Sequence, residues 1–135
     1  MGFTPLEGLV MGTRCGDIDP ALVLYMQREL GLHVDKVDKA LNKHSGLIGI
    51  CGENDVRNIL DSKDERAKLA LDMMIRRIQK YIGAYMALLG RVDAIIFSGG
   101  IGENSAYIKD KVLESQMFNK LESLVIQTNE ELEIA

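Results

Sequence analysis

The chain has no tryptophan, two prolines, two cysteines and only 5% aromatic residues among its 135. Each shortage excludes something. Cys15 and Cys51 share no C-x-x-C spacing and are too few for a cysteine metal cluster or a disulfide framework, which fits a reducing, cytoplasmic setting. There is no basic excess: sixteen Lys and Arg against twenty Asp and Glu give a formal net charge of −4, which disfavours nucleic acid as the main partner. No apolar run approaches the ~20 residues needed to cross a bilayer, and residues 1–10 lack the basic start and apolar stretch of a signal peptide. What the chain does have is 47% hydrophobic residues and thirteen glycines. Its composition is that of an ordinary globular protein, and its length suits one domain with a substantial core. Many glycines with few prolines suit uninterrupted helices and a backbone that approaches ligands closely.

Residues 1–19, with glycines at 2, 8, 12 and 16 and no clear period, read as an irregular segment. Asp19-Pro20 is a helix start, with Leu22, Val23, Met26 and Leu30 at helical spacing and Gly31 as the stop. A second helix is expected over Val34–Lys43 with Val37, Ala40 and Leu41 on one face, whereas the apolar, glycine-studded stretch 45–52 is undecided by periodicity. The strongest signal is Asp64–Leu89: Ala67, Leu71, Met74, Ile75, Ile78, Ile82, Tyr85, Met86 and Leu89 form one stripe and Gly90 ends it. Gly83 inside that helix costs about 1 kcal/mol relative to alanine, which predicts a close packing partner there. Asp93–Ser98 reads as a buried strand, followed by the glycine turn Gly99–Asn104, a helix over 105–117, a second strand at Leu124–Gln127 and a capped helix from Thr128-Asn129. Strand, turn, helix, strand and helix make an α/β layered pattern in a helix-rich chain.

The glycine turn is the main candidate for chemistry. A strand that ends in glycines at the C-terminal edge of a sheet is where α/β proteins bind nucleotides, and the following helix N-terminus offers N–H donors to anions. Ser105 replaces the third glycine of the dinucleotide fingerprint and no G-K-[ST] is present, so a plain strand-to-helix turn is an equal reading. Arg14, between Gly12 and Gly16, offers a planar guanidinium to phosphate, or else pairs with Asp17 on an exposed loop. Asp55, Val56 and Arg57 either contact a ribose and base or form the charged first turn of a helix ending near Leu60. Glu130 and Glu131 suit Mg²⁺ through water, or a helix dipole. His33 and His44 lie in no catalytic spacing, and Cys15 beside Arg14 suggests a lowered thiol pKa without other signs of a nucleophile.

Taken in order, the segment from Met1 to Pro20 (MGFTPLEGLVMGTRCGDIDP), the Asp64–Gly90 helix, the block Ile95–Asn104 (IIFSGGIGEN) and Thr128–Leu132 (TNEEL) resemble the acetate and propionate kinase family over nearly the whole chain. The resemblance implies an RNase-H-like domain of the sugar kinase, actin and Hsp70 superfamily. It implies phosphoryl transfer between ATP and acetate, giving ADP and acetyl phosphate, with Mg²⁺. Carried over by position, Arg14 is the arginine that stabilises the transferring phosphoryl group, Asp55, Val56 and Arg57 are a nucleotide-contacting triplet, Gly100, Ile101, Gly102, Glu103 and Asn104 are the adenosine-contacting loop, and Glu130 belongs to the magnesium site. The sequence departs from the family in a shorter span between Asn104 and Thr128, and in Cys51–Asn54 standing where small hydroxyl residues are usual. The expectation is a C-terminal, nucleotide-side portion, 1–135, of a two-domain kinase without its N-terminal catalytic domain. Alone it is expected to be inactive; the full-length protein is expected to be cytoplasmic and homodimeric. The alternative is a non-catalytic nucleotide-binding or dimerisation module that keeps the fold.

Overall fold

Residues 1–20 form neither helix nor strand, as their scattered glycines predict. Asp19 then accepts a hydrogen bond from the Ala21 N–H (2.9 Å), and helix α1 (Ala21–Arg28) begins behind Pro20. Gly31 leaves that turn at φ 61°, a backbone angle that favours glycine. The computed structural model describes residues 1–118 and 120–128. Contacts along the chain divide into two compact units, Met1–Arg77 and Ile78–Ala135.

In the first unit, α2 covers Val34–Lys43 as predicted, with Val37 and Leu41 buried. The undecided stretch resolves as a short helix, α3 (Gly46–Cys51), opened by Gly46 at φ 64° and closed by the left-handed Gly52. Asp55 caps α4 (Val56–Asp61), and the first half of α5 (Glu65–Leu89) follows. The buried set of this unit includes Leu47, Ile59, Ala70, Leu71 and Met74. The periodicity of the long helix is therefore right through Ile75. Helix α1 departs from expectation, because none of its residues is buried and Leu22, on the predicted stripe, is exposed.

In the second unit the end of α5 carries its stripe into the open: Tyr85 and Leu89 are 56% and 69% exposed. A Cβ on Gly83 would meet nothing within 4 Å, so the expected close partner is absent among the described residues. Strand β1 (Ala94–Phe97) pairs in parallel with β2 (Glu122–Val125), Ala94 opposite Glu122 and Phe97 opposite Val125. The predicted second strand, 124–127, is thus two residues late, because register with a four-residue β1 ends the ladder at Val125. Between the strands lie two helices. The glycine turn winds into one helical turn, α6 (Gly99–Asn104), and α7 (Ala106–Leu113) is shorter than the predicted 105–117. Gln79 of α5 donates to Lys111 O and Val112 O (3.1 Å each) at the end of α7, where Ile108, Val112 and Phe118 are buried. The helix expected after Thr128-Asn129 lies outside the described residues. Among those described, no helix is long and apolar enough to cross a membrane.

Candidate functional site

Arg14 sits on a loop whose backbone is tied down from two sides. The loop closes on itself through Met11 N–H donating to Arg14 O (3.2 Å) and Asp17 N–H donating to Gly8 O (3.0 Å), with Gly8 N–H donating to Asp17 Oδ1 (2.7 Å). On one side it meets the end of α2, where Cys15 N–H reaches Leu41 O (3.1 Å) and Thr13 Oγ1 reaches Asn42 O (2.9 Å). On the other it meets the first turn of α3, whose Leu47 and Ile48 N–H groups donate to Met11 O and Gly12 O (2.9 Å each). Helix ends leave such groups without intrahelical partners, and this loop satisfies both sets. The fit requires glycine. A Cβ on Gly46 would fall on Met11 O and within 2.7 Å of Arg14 O, and one on Gly16 within 2.7 Å of Gly8 O.

The Arg14 side chain is half-buried and its Nη1 lies 3.8 Å from Met11 Sδ. Among the described residues no carboxylate pairs with it. The alternative of an Arg14–Asp17 pair is not realised: Asp17 Oδ2 is 3.3 Å from Arg77 Nη1, which also donates to Asp17 O (3.1 Å). Sequence reading missed Arg77, sixty residues away on the long helix. A cavity of about 340 Å³ lies on that side, lined by Cys15, Asp17, His44, Ile50, Met73 and Arg77 but not by Arg14. Burial pushes the Cys15 thiol up, against the lowered pKa suggested by its neighbour Arg14. His33 is the exposed N-cap of α2.

Close to this loop stands the Asp55 turn, since a Cβ on Gly12 would lie 3.3 Å from Asn54 O. Asp55 caps α4 by accepting from Arg57 N–H (2.9 Å), and it also accepts from Arg57 Nε (3.0 Å). The two charges therefore satisfy each other, and the Arg57 hydrogen bonds hold the Asp55 carboxyl at about 2. This is the charged-first-turn arrangement; Val56 is buried beneath it. Glu53 fixes the approach: its Oε1 accepts from Asn54 N–H (2.7 Å) and Asp55 N–H (2.8 Å), and its Oε2 from Asn58 Nδ2 (3.0 Å).

In the second unit, Gly100 and Asn104 are exposed and Ile101 is 44% exposed, so the loop presents backbone to solvent. The Gly99 N–H, however, is taken by Glu103 Oε1 (2.8 Å), and Asn104 Nδ2 donates back to Gly100 O (2.8 Å). Gly102 has an ordinary φ; a Cβ there would come 3.3 Å from the Phe97 carbonyl carbon, so its tightness serves packing against β1. Glu130 lies outside the described residues. Among those described, no three His, Cys, Asp or Glu side chains converge on a point where a metal would sit.

Residues 1–135 match the acetokinase family throughout. The chain is 55% identical to an acetate kinase of Sulfurimonas denitrificans, with all of this chain and 40% of that protein covered. It superposes on the crystal structure of Porphyromonas gingivalis acetate kinase with a TM-score of 0.93 at 36% identity, covering 99% of this chain and 41% of that one. For a propionate kinase from Francisella tularensis the TM-score is 0.92 at 40% identity, covering all of this chain and 41% of that one. The chain thus spans about two fifths of the relatives it matches. The match to the Sulfurimonas protein runs over 156 positions against 135 residues here, so that relative carries residues with no counterpart in this chain. These matches establish the family and a share of length and do not bear out the C-terminal placement expected from the sequence. The helix-rich α/β fold expected from the resemblance agrees with the solved neighbours.

Proposed function

The chain belongs to the acetokinase family, and from that premise we propose that it forms the nucleotide-side portion of an acetate kinase, which moves a phosphoryl group between ATP and acetate to give ADP and acetyl phosphate. The observation that carries the proposal is Arg14: a guanidinium with no carboxylate partner among the described residues, on a loop pinned by two helix ends. In phosphoryl transfer the charge spreads over three equatorial oxygens, and a planar cation already in place neutralises it with little reorganisation at the moment of reaction. In this reading Asp55, Val56, Arg57 and the segment Gly100–Asn104 receive the nucleotide, while Glu130 serves the Mg²⁺ that accompanies it. Nucleotide contact by Arg57 would then share or open the Asp55 pair.

The same proposal holds that residues 1–135 alone bind nucleotide and do not turn it over, because transfer needs both substrates positioned and positioning supplies much of the rate. A homodimer and a cytoplasmic location of the full-length protein belong to it as well. Calorimetric titration of residues 1–135 with MgADP, beside a coupled assay for acetate-dependent ADP release, tests the reading. Saturable binding without turnover is expected. No binding would sink the nucleotide role, and turnover at the rate of a full-length relative would sink the claim of inactivity.

A further inference from the structure

Strands β1 and β2 run parallel, so the segments leaving their C-terminal ends emerge at one edge of the sheet. Two side-chain contacts join them there. Ser98 Oγ donates to Ile126 O (2.8 Å), continuing the ladder past the Ile126 N–H to Phe97 O bond (3.0 Å). Beyond it, one oxygen does more. Glu103 Oε1 accepts from Gly99 N–H (2.8 Å), from Thr128 N–H (2.9 Å) and from Thr128 Oγ1 (3.0 Å). Glu103 is the fifth residue of α6, so its side chain folds back over the turn to its own first N–H while reaching across to the other strand's exit. The three donors hold this half-buried carboxylate below its ordinary pKa, Thr128 N–H most of all.

We propose that Glu103 is a positioning residue, a clasp that fixes the glycine turn Gly99–Asn104 to the segment following β2 and so sets the backbone that receives the nucleotide, without touching the nucleotide itself. The inference rests on the nucleotide reading above and changes one residue's part in it. Three donors on a single oxygen commit Oε1 to the clasp, and the double-variant comparison below separates that role from a ligand contact through Oε2.

The test uses residues 1–135 and two readouts, MgADP affinity by calorimetry and protection of the Gly99 and Thr128 amides in NMR hydrogen exchange. Glu103→Ala should strip protection from both amides and weaken MgADP about tenfold, the scale of losing charge-assisted hydrogen bonds. Glu103→Gln keeps an acceptor and should rescue most of both. Thr128→Val should weaken binding less, and should add nothing in a Glu103→Ala background, because partners in one network are non-additive. Fully additive effects would mean that Glu103 acts on the nucleotide directly, and overturn the clasp. Lost protection with unchanged affinity would overturn positioning and leave a structural role. Unprotected amides in the unmutated chain would overturn the clasp outright. Protected amides with no MgADP binding by any variant would overturn the nucleotide reading, and the positioning role with it, while the hydrogen bonds themselves stood. A thermal melt of each variant separates loss of fold, and Glu103→Gln answers the question if Glu103→Ala does not fold.

Discussion

The two glycine-rich loops look alike in sequence and are built on opposite plans. Around Arg14, glycines at 16 and 46 have positive φ and stand where a Cβ would strike backbone oxygen, and the loop is held by main-chain hydrogen bonds to two helix ends. Around Gly100, a Cβ would meet nothing within 4 Å, and side chains hold the turn: Glu103, Asn104 and Ser98. A loop fixed mainly by backbone is least tolerant at its glycines, with the side chains of Thr13 and Asp17 adding one hydrogen bond each. A loop fixed mainly by side chains is the reverse. Gly99 is required by its φ of 71° and Gly102 by the nearby Phe97 backbone, so in this loop Gly100 alone lacks a reason in the fold, and a nucleotide laid against the backbone at that point would supply one.

The comparison breaks most visibly at Gly46. Gly46→Ala places a methyl into Met11 O and Arg14 O and adds left-handed strain, so a stability loss of at least about 3 kcal/mol is expected. Gly31→Ala is the control, with φ 61° and open space around it, and should cost only the strain, about 1 kcal/mol. Urea denaturation followed by circular dichroism measures both, and equal losses would mean that the close fit beneath Arg14 contributes nothing.

Next in size is Arg14 itself, in the full-length protein. Arg14→Ala should lower kcat by roughly 3 kcal/mol of transition-state stabilisation while the KM for ATP changes little, and lysine should rescue poorly because it lacks the planar fork. Steady-state kinetics decides it: unchanged kcat with a raised KM would place Arg14 in ground-state binding.

Local signals were legible where one chemical force acts alone. Val34–Lys43 and the long helix follow from apolar spacing, and β1 from a short β-branched run. Spacing fails where partners are distant. Nothing near Asp17 announces Arg77, and nothing near Thr13 announces the carbonyl of Asn42. The stripe of α5 shows the other limit: period 3.6 marks Tyr85 and Leu89 as apolar-facing, and periodicity cannot tell whether anything covers them. At the candidate site, residue types singled out the segments proposed for the nucleotide. They did not reveal that Asp55 and Arg57 satisfy each other, or that Glu103 is already engaged.

A smaller effect sharpens the contrast within the second loop. Gly102→Ala presses on the Phe97 backbone and should cost about 1 kcal/mol, whereas Gly100→Ala meets open space and should be neutral or slightly stabilising, as alanine is in a helical turn. If Gly100→Ala keeps its thermal stability yet weakens MgADP several-fold, the glycine serves the ligand. If it changes neither, the second loop has no nucleotide against its backbone at that point.

The smallest expected effect is electrostatic and has a definite sign. The Arg57 side chain, and then its N–H, hold the Asp55 carboxyl at about 2 against an ordinary 3.8. A group with a lowered folded pKa binds fewer protons in the folded state across that interval, so stability rises with pH through it. The contribution of Asp55 is therefore complete above about 3.8 and is lost as pH falls toward 2. Asp55→Asn keeps a good N-cap for α4 while removing the charge. The Tm of the variant should accordingly fall below that of the unmutated chain at pH 5, and the difference should close as the pH approaches 2. Both groups are exposed enough for salt to matter, so raising the ionic strength should narrow the gap at pH 5. A gap that stays constant from pH 5 to 2 would assign the effect to the cap geometry of the side-chain oxygen and not to its charge.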